Sequence, residues 1–181
     1  MKDLIHGNIL LIVCCAFYLL WWCIAFYPQK SVSKMITGPI IIFAAAVGIV
    51  GGYLVLRAIS DINLSRSLIG GFKLLAIGAL VYVALLLVSF FALNRPVTTE
   101  LLLIVGWAVL QISYVNVLYG TTHIGLTTAI ILILCIIAFA VASLVAYMAY
   151  YQLEAFASYV DGMIPLILVM IMMIVTTFFS R

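Results

Sequence analysis

The sequence predicts an all-α fold, a polytopic transmembrane helical bundle of six spans that fills one integral membrane domain over residues 1–181. Three observations predict it. Apolar residues make up 69% of the chain and charged residues 7%, for a mean hydropathy of +1.42. Eight bases and five acids, a net charge of +3, are too few to clothe a soluble globule of this length. The few charges also stand apart by about the 20 residues that a helix needs to cross hydrocarbon about 30 Å thick. The same arithmetic excludes a disordered chain, a collagen-like chain, a disulfide-stapled secreted domain and a nucleic-acid binder with a basic patch.

Using the charges as rulers gives spans from Leu4 to Tyr27, Ile36 to Leu56, Gly70 to Leu93, Leu101 to Tyr119, Ile124 to Tyr151 and Gly162 to Phe179. A membrane barrel would need short segments alternating apolar and polar residues, and a run such as Ile124 to Ala142 does not alternate. The first span is too long, and its small-residue cleavage site too poor, for a removable signal peptide, so it is expected to remain a helix. Pro28 to Lys34 links the first two spans, and Ala58 to Ile69 the next two. Asn94-Arg95-Pro96 stops the third span, and Thr99-Glu100 caps the fourth. Gly120-Thr121-Thr122-His123 is the shortest link, and Gln152 to Asp161 reads as an amphipathic turn at the interface.

The end bearing both termini carries Lys2, Arg57, Arg66, Lys73 and Arg181, against Lys30, Lys34 and Arg95 at the other end. The positive-inside rule then places both termini in the cytoplasm, in a bacterial inner or plasma membrane. The halves of the chain suggest a 3+3 inverted repeat, Leu10-Leu11-Ile12-Val13 matching Leu102-Leu103-Ile104-Val105.

No catalytic signature is present: no pair of helical histidines with a glutamate between them, no serine with a base in reach, no Arg and His cluster. Cys14, Cys15, Cys23 and Cys135 all lie inside spans without metal-ligand spacing and read as small apolar packers. His6 and His123 fall at the same end and offer the one opening for a haem or metal in an integral-membrane enzyme, but they lack further ligands at helical spacing. The expectation is no enzyme, no cofactor and no metal. A mid-membrane carboxylate for proton coupling is also missing, since every acid and base lies within a turn or two of a span end, Lys73 the farthest inside.

Two features point to function. In the second span Ala44, Gly48 and Gly52 recur every fourth residue, a small-residue stripe for helix packing. It would serve inside the bundle, in a homo-oligomer or against a partner membrane subunit. In the fourth span Glu100, Trp107, Gln111 and Tyr114 share a stripe about 60° wide at about 100° per residue, and Ser143, Tyr147, Tyr150 and Glu154 do so in the fifth. Trp22 ends the first span at the same face of the membrane.

An aromatic belt explains the rings near the interface, and interhelical hydrogen bonding would explain the deeper Gln111 and Tyr114. A ligand cavity explains both groups together. Trp107, Gln111, Tyr114, Tyr147, Tyr150, Glu154, Trp22 and Glu100 are therefore the candidate ligand-binding residues, for a small neutral or cationic organic solute entering from the non-cytoplasmic side. Asn116 and Ser113, on another face, are expected to be interhelical hydrogen-bonders. The alternative function is a non-transporting subunit acting through helix association. In length, span number and lack of enzyme motifs the chain is similar to the substrate-capturing subunits of energy-coupling-factor vitamin transporters, with Ala44-Gly48-Gly52 a loose counterpart of their docking stripes. The similarity is one of architecture and carries over no binding residue.

Overall fold

The computed structural model describes residues 1–28, 34–61, 67–93 and 99–180. These form helices and turns alone: α1 (Lys2–Ala25), α2 (Lys34–Asp61), α3 (Gly71–Leu93), α4 (Thr99–Gly120), α5 (Leu126–Tyr150), α6 (Ala155–Asp161) and α7 (Ile164–Phe178). Six stretches among the described residues are long and apolar enough to cross a bilayer, the last being α6 and α7 together over Ala155–Phe178. By architecture the chain is a multi-pass membrane protein.

The helix ends differ from the charge rulers in places, for a physical reason. Charge limits the hydrocarbon, not the helix. α2 continues past Arg57 to Asp61, and the two side chains approach to 3.6 Å at i,i+4 spacing on an exposed surface. Most of the segment expected to be a turn from Gln152 to Asp161 is instead the short helix α6.

α4 is the central helix. Half of its apolar stretch is buried, against 17% or less in α1, α2 and α3. It lies against α2, α3, α5 and α7, while α1 packs along α2 and against α7. Polar residues concentrate on α4 because the element that meets protein on most sides can give them partners that lipid cannot. α3 leans chiefly on α4, whereas α7, its counterpart in the second half, lies against α1, α4 and α5. That unequal packing lends the 3+3 repeat no support. Outward faces carry large exposed apolar side chains such as Ile49, Leu80 and Phe91, suited to acyl chains.

Two backbone features fix the frame. α1 and α2 cross at Gly7 and Gly51, where a Cβ on Gly7 would lie 2.8 Å from the Gly51 carbonyl oxygen and a Cβ on Gly51 2.9 Å from that of Gly7. Only glycine permits so close an approach. α4 ends in a Schellman motif: the His123 N–H donates to the Leu118 carbonyl at 3.0 Å and the Thr122 N–H to that of Tyr119 at 3.1 Å. The left-handed position is filled by Thr122, with φ 62°, where glycine is the usual residue.

Candidate functional site

Two polar sites emerge, at different depths. The first is a closed hydrogen-bond knot joining α1, α4 and α7. Asn8 Nδ2 donates to the Met173 carbonyl at 3.0 Å, to Thr177 Oγ1 at 2.8 Å and to Thr176 Oγ1 at 3.2 Å. Gln111 Nε2 donates to Asn8 Oδ1 at 3.1 Å, and Thr176 Oγ1 donates to Gln111 Oε1 at 3.1 Å. Asn8, Gln111 and Thr176 are fully buried. Each primary amide thus has both its oxygen and its nitrogen partnered, which makes it tolerable away from water.

Nearby on α4, the buried Tyr114 hydroxyl lies beside Thr177 and Ser180. It makes no hydrogen bond among the described residues, and neither does the buried indole nitrogen of Trp107. Asn116 Oδ1 accepts from the Leu68 N–H at 3.3 Å, and its Nδ2 donates to the Ile69 carbonyl at 3.2 Å. It therefore fixes the chain entering α3. Ser113 Oγ bonds within α4, to the Val109 carbonyl at 2.8 Å.

The second site is a cleft of about 320 Å³ at the end of the bundle opposite the termini, lined by Trp22, Phe26, Pro28, Tyr150, Ala155, Ser158 and Tyr159. α1 supplies Trp22 from its last turn, α5 supplies Tyr150 at its end, and α6 closes the third side. Trp22 is the keystone. Its Nε1 donates to the Tyr159 carbonyl at 3.1 Å, Phe26 stacks on it at 4.4 Å, and Tyr150 meets it edge-to-face at 6.1 Å. Gly162 lies directly against the indole, and a Cβ there would collide with Cζ2. Ser158 Oγ ties α6 back to the Tyr150 and Leu153 carbonyls, each at 2.9 Å. Glu154 occupies the N-cap position of α6, exposed and with no side-chain capping bond, and Asp161 ends the helix with Oδ2 buried and unbonded among the described residues.

The sequence-derived candidates therefore divide. Trp22 and Tyr150 line the cleft. Tyr147 sits one turn before Tyr150 and shares a 2.8 Å contact between hydroxyls with Tyr151, while Glu154 adjoins the lining at Ala155. Trp107, Gln111 and Tyr114 belong to the bundle interior, and no α4 residue among those described lines the cleft. The Glu100 side chain lies outside the described residues.

On α2, Ala44 is buried and Gly48 meets Cys14 Sγ, 2.8 Å from a Cβ built on the glycine. Gly52 meets nothing within 4 Å, and the close face is completed by Gly51 instead. His6 and His123 are exposed, with His123 Nδ1 2.9 Å from Thr121 Oγ1. No group of three or more His, Cys, Asp or Glu side chains could hold a metal among the described residues.

Sequence reasoning missed Asn8, Thr176 and Thr177 in the knot, and Phe26, Pro28 and Ser158 in the cleft. Asn8 and the threonines stand close to span ends, where polar residues look merely interfacial. The signal available was Asn8 itself, an amide inside an otherwise apolar run. No family model matches the chain, and no curated protein or solved structure shows a significant match to it.

Proposed function

We propose that this membrane protein captures a small neutral or cationic organic solute in the aromatic cleft, as the binding step of transport across the bilayer. The observation that carries the reading is the cleft itself: about 320 Å³, walled by Trp22, Phe26, Tyr150 and Tyr159 at one end of an otherwise apolar bundle. Apolar concavities with a few placed polar groups are the common form of small-ligand sites. Trp22, held between Phe26 and Gly162 and hydrogen-bonded to Tyr159, gives this one a fixed wall. Among the earlier candidates, Trp22 and Tyr150 touch the solute, with Phe26 and Tyr159 added. Gln111 and Tyr114 hold the helices that carry them.

The excess of Lys and Arg at the end bearing the termini, Lys2, Arg57, Arg66, Lys73 and Arg181 against Lys30, Lys34 and Arg95, supports cytoplasmic termini and an outward-facing cleft in an inner or plasma membrane. Native mass spectrometry of the full chain in nanodiscs tests the reading. A small molecule should be retained by the unaltered protein and lost in Phe26→Leu and Tyr150→Leu, while Gln111→Leu should chiefly lower stability. A folded protein that retains nothing from a panel of neutral and cationic solutes would overturn it.

A further inference from the structure

Resting on that reading of the cleft, we propose that its ligand is a quaternary ammonium, a trimethylammonium group carried either by a free solute of the choline type or by the headgroup of phosphatidylcholine. Size comes first. A volume of about 320 Å³ stands at the small end of the range of about 300–1,000 Å³ over which ligand sites are found, room for one compact group.

The polar inventory narrows the chemistry further. Of the donors in the wall, Trp22 Nε1 is engaged by the Tyr159 carbonyl, Ser158 Oγ by the Tyr150 and Leu153 carbonyls, and Tyr159 Oη faces the Cys23 carbonyl at 3.5 Å. Among the described residues, what remains is ring surface and the Tyr150 phenol. A sugar, an amino acid or a nucleobase would bring several donors and acceptors and strand them. A primary ammonium needs acceptors for three N–H groups. A trimethylammonium needs none, because its charge is presented through methyl groups that pack on aromatic faces.

Ring orientation and charge agree with that chemistry. Phe26 stacks on Trp22 at 23°, but Trp22 and Tyr150 meet at 64° and Tyr27 and Tyr159 at 86° beside them, so the walls turn a corner around that stack. Such a box suits a rounded cation, whereas parallel plates suit a planar heterocycle. Among the described residues the lining contains no Lys or Arg.

Tryptophan fluorescence of the full chain in phosphatidylglycerol nanodiscs tests the proposal with choline, ethanolamine and 3,3-dimethyl-1-butanol, in which carbon replaces the ammonium nitrogen. Native mass spectrometry of nanodiscs mixing phosphatidylcholine and phosphatidylethanolamine forms the second arm. Choline should give a saturable response, with the neutral isostere and ethanolamine weaker by about fivefold or more, and Phe26→Leu and Tyr150→Leu should each weaken choline by about two- to thirtyfold. Choline saturation without selective lipid retention assigns a free solute. Retention of phosphatidylcholine over phosphatidylethanolamine, reversed by choline, assigns the headgroup.

Equal binding of choline and its neutral isostere, or retention of neither choline nor phosphatidylcholine by the folded protein, overturns the proposal. The comparison of isosteres on the unaltered chain needs no variant to fold. If a solute of other chemistry is held and then lost in Phe26→Leu, solute capture stands and the quaternary ammonium falls. If no solute is held at all, both fall.

Discussion

Replacing Asn8 with leucine should expose the logic of the buried knot. The substitution keeps an apolar side chain of similar size on α1 but removes the donor to Met173, Thr176 and Thr177 and the acceptor for Gln111 Nε2. Thr177 still donates to the Met173 carbonyl at 2.7 Å and Thr176 to Gln111 Oε1 at 3.1 Å, so the main orphan is the Gln111 amide N–H. Interhelical polar bonds in membranes contribute about 0.6 kcal/mol on average and about 1.7 at most. A buried donor left without a partner costs about 1–3 kcal/mol. Asn8→Leu should therefore destabilise by about 2–4 kcal/mol. Gln111→Leu leaves only the Asn8 oxygen without its donor, since the freed Thr176 hydroxyl can turn to the Met173 carbonyl at 3.1 Å, and should cost about 1–2 kcal/mol. The double variant removes the orphan together with its former partner. Its cost should fall short of the sum of the singles by about 1–2 kcal/mol. Equilibrium unfolding in mixed micelles by steric trapping, over the full cycle, measures this coupling. Strict additivity would refute the reasoning, because two groups that satisfy each other cannot be lost independently.

Three further outcomes follow from single positions. Gly7→Ala and Gly51→Ala each drive a methyl to within 2.9 Å of a carbonyl oxygen on the facing helix, and should cost about 1–3 kcal/mol in the same assay, while Gly52→Ala, with open space around it, should be neutral or stabilising by up to about 1 kcal/mol. Thr122→Gly should raise stability by about 1 kcal/mol, because it relieves a β-branched residue at φ 62° without touching the capping bonds. Gly162→Ala should displace Trp22, shift its emission and abolish retention of the proposed ligand at near-normal global stability, since the collision falls on the cleft and not on the knot.

The architecture was legible because one quantity decides it. A chain with so few charges can only arrange them at the ends of helices long enough to cross a bilayer. Helix ends were less legible, as α2 shows: Arg57 and Asp61 satisfy each other at i,i+4 and the helix runs on beneath them. In the candidate site, periodicity correctly gathered Trp107, Gln111 and Tyr114 onto one face of α4, because azimuth follows from sequence spacing. What lies opposite that face does not. Asn8 is on α1 and Thr176 on α7, 168 residues apart in sequence, and only the packing shows that they close the Gln111 amide into a knot. The Ala44 and Gly48 stripe is another case, since small-residue spacing names a face but not its register. The close face runs through Gly51 and leaves Gly52 open because the crossing point is set by where Gly7 lies on α1.

The knot and the cleft share one element, α1, and this explains why a single pocket was the natural expectation and why two sites exist instead. Asn8 and Trp22 are separated by about 21 Å along that helix at about 1.5 Å per residue. Near its start α1 is fixed to α4 and α7 by amide bonds; near its end it meets α5 and α6 through rings and one indole N–H. Each kind of contact suits its depth. An amide far from water must be closed on itself, so the amides of the inner site are taken up by one another, although the Tyr114 hydroxyl and the Trp107 indole nitrogen beside them make no bond among the described residues. Rings at the interface cover one another incompletely, so the outer site keeps a concavity and exposed π surface. On the proposed reading, recognition belongs to the end where side chains can remain partly unsatisfied without penalty, and the deeper polar residues serve it by holding α1 still.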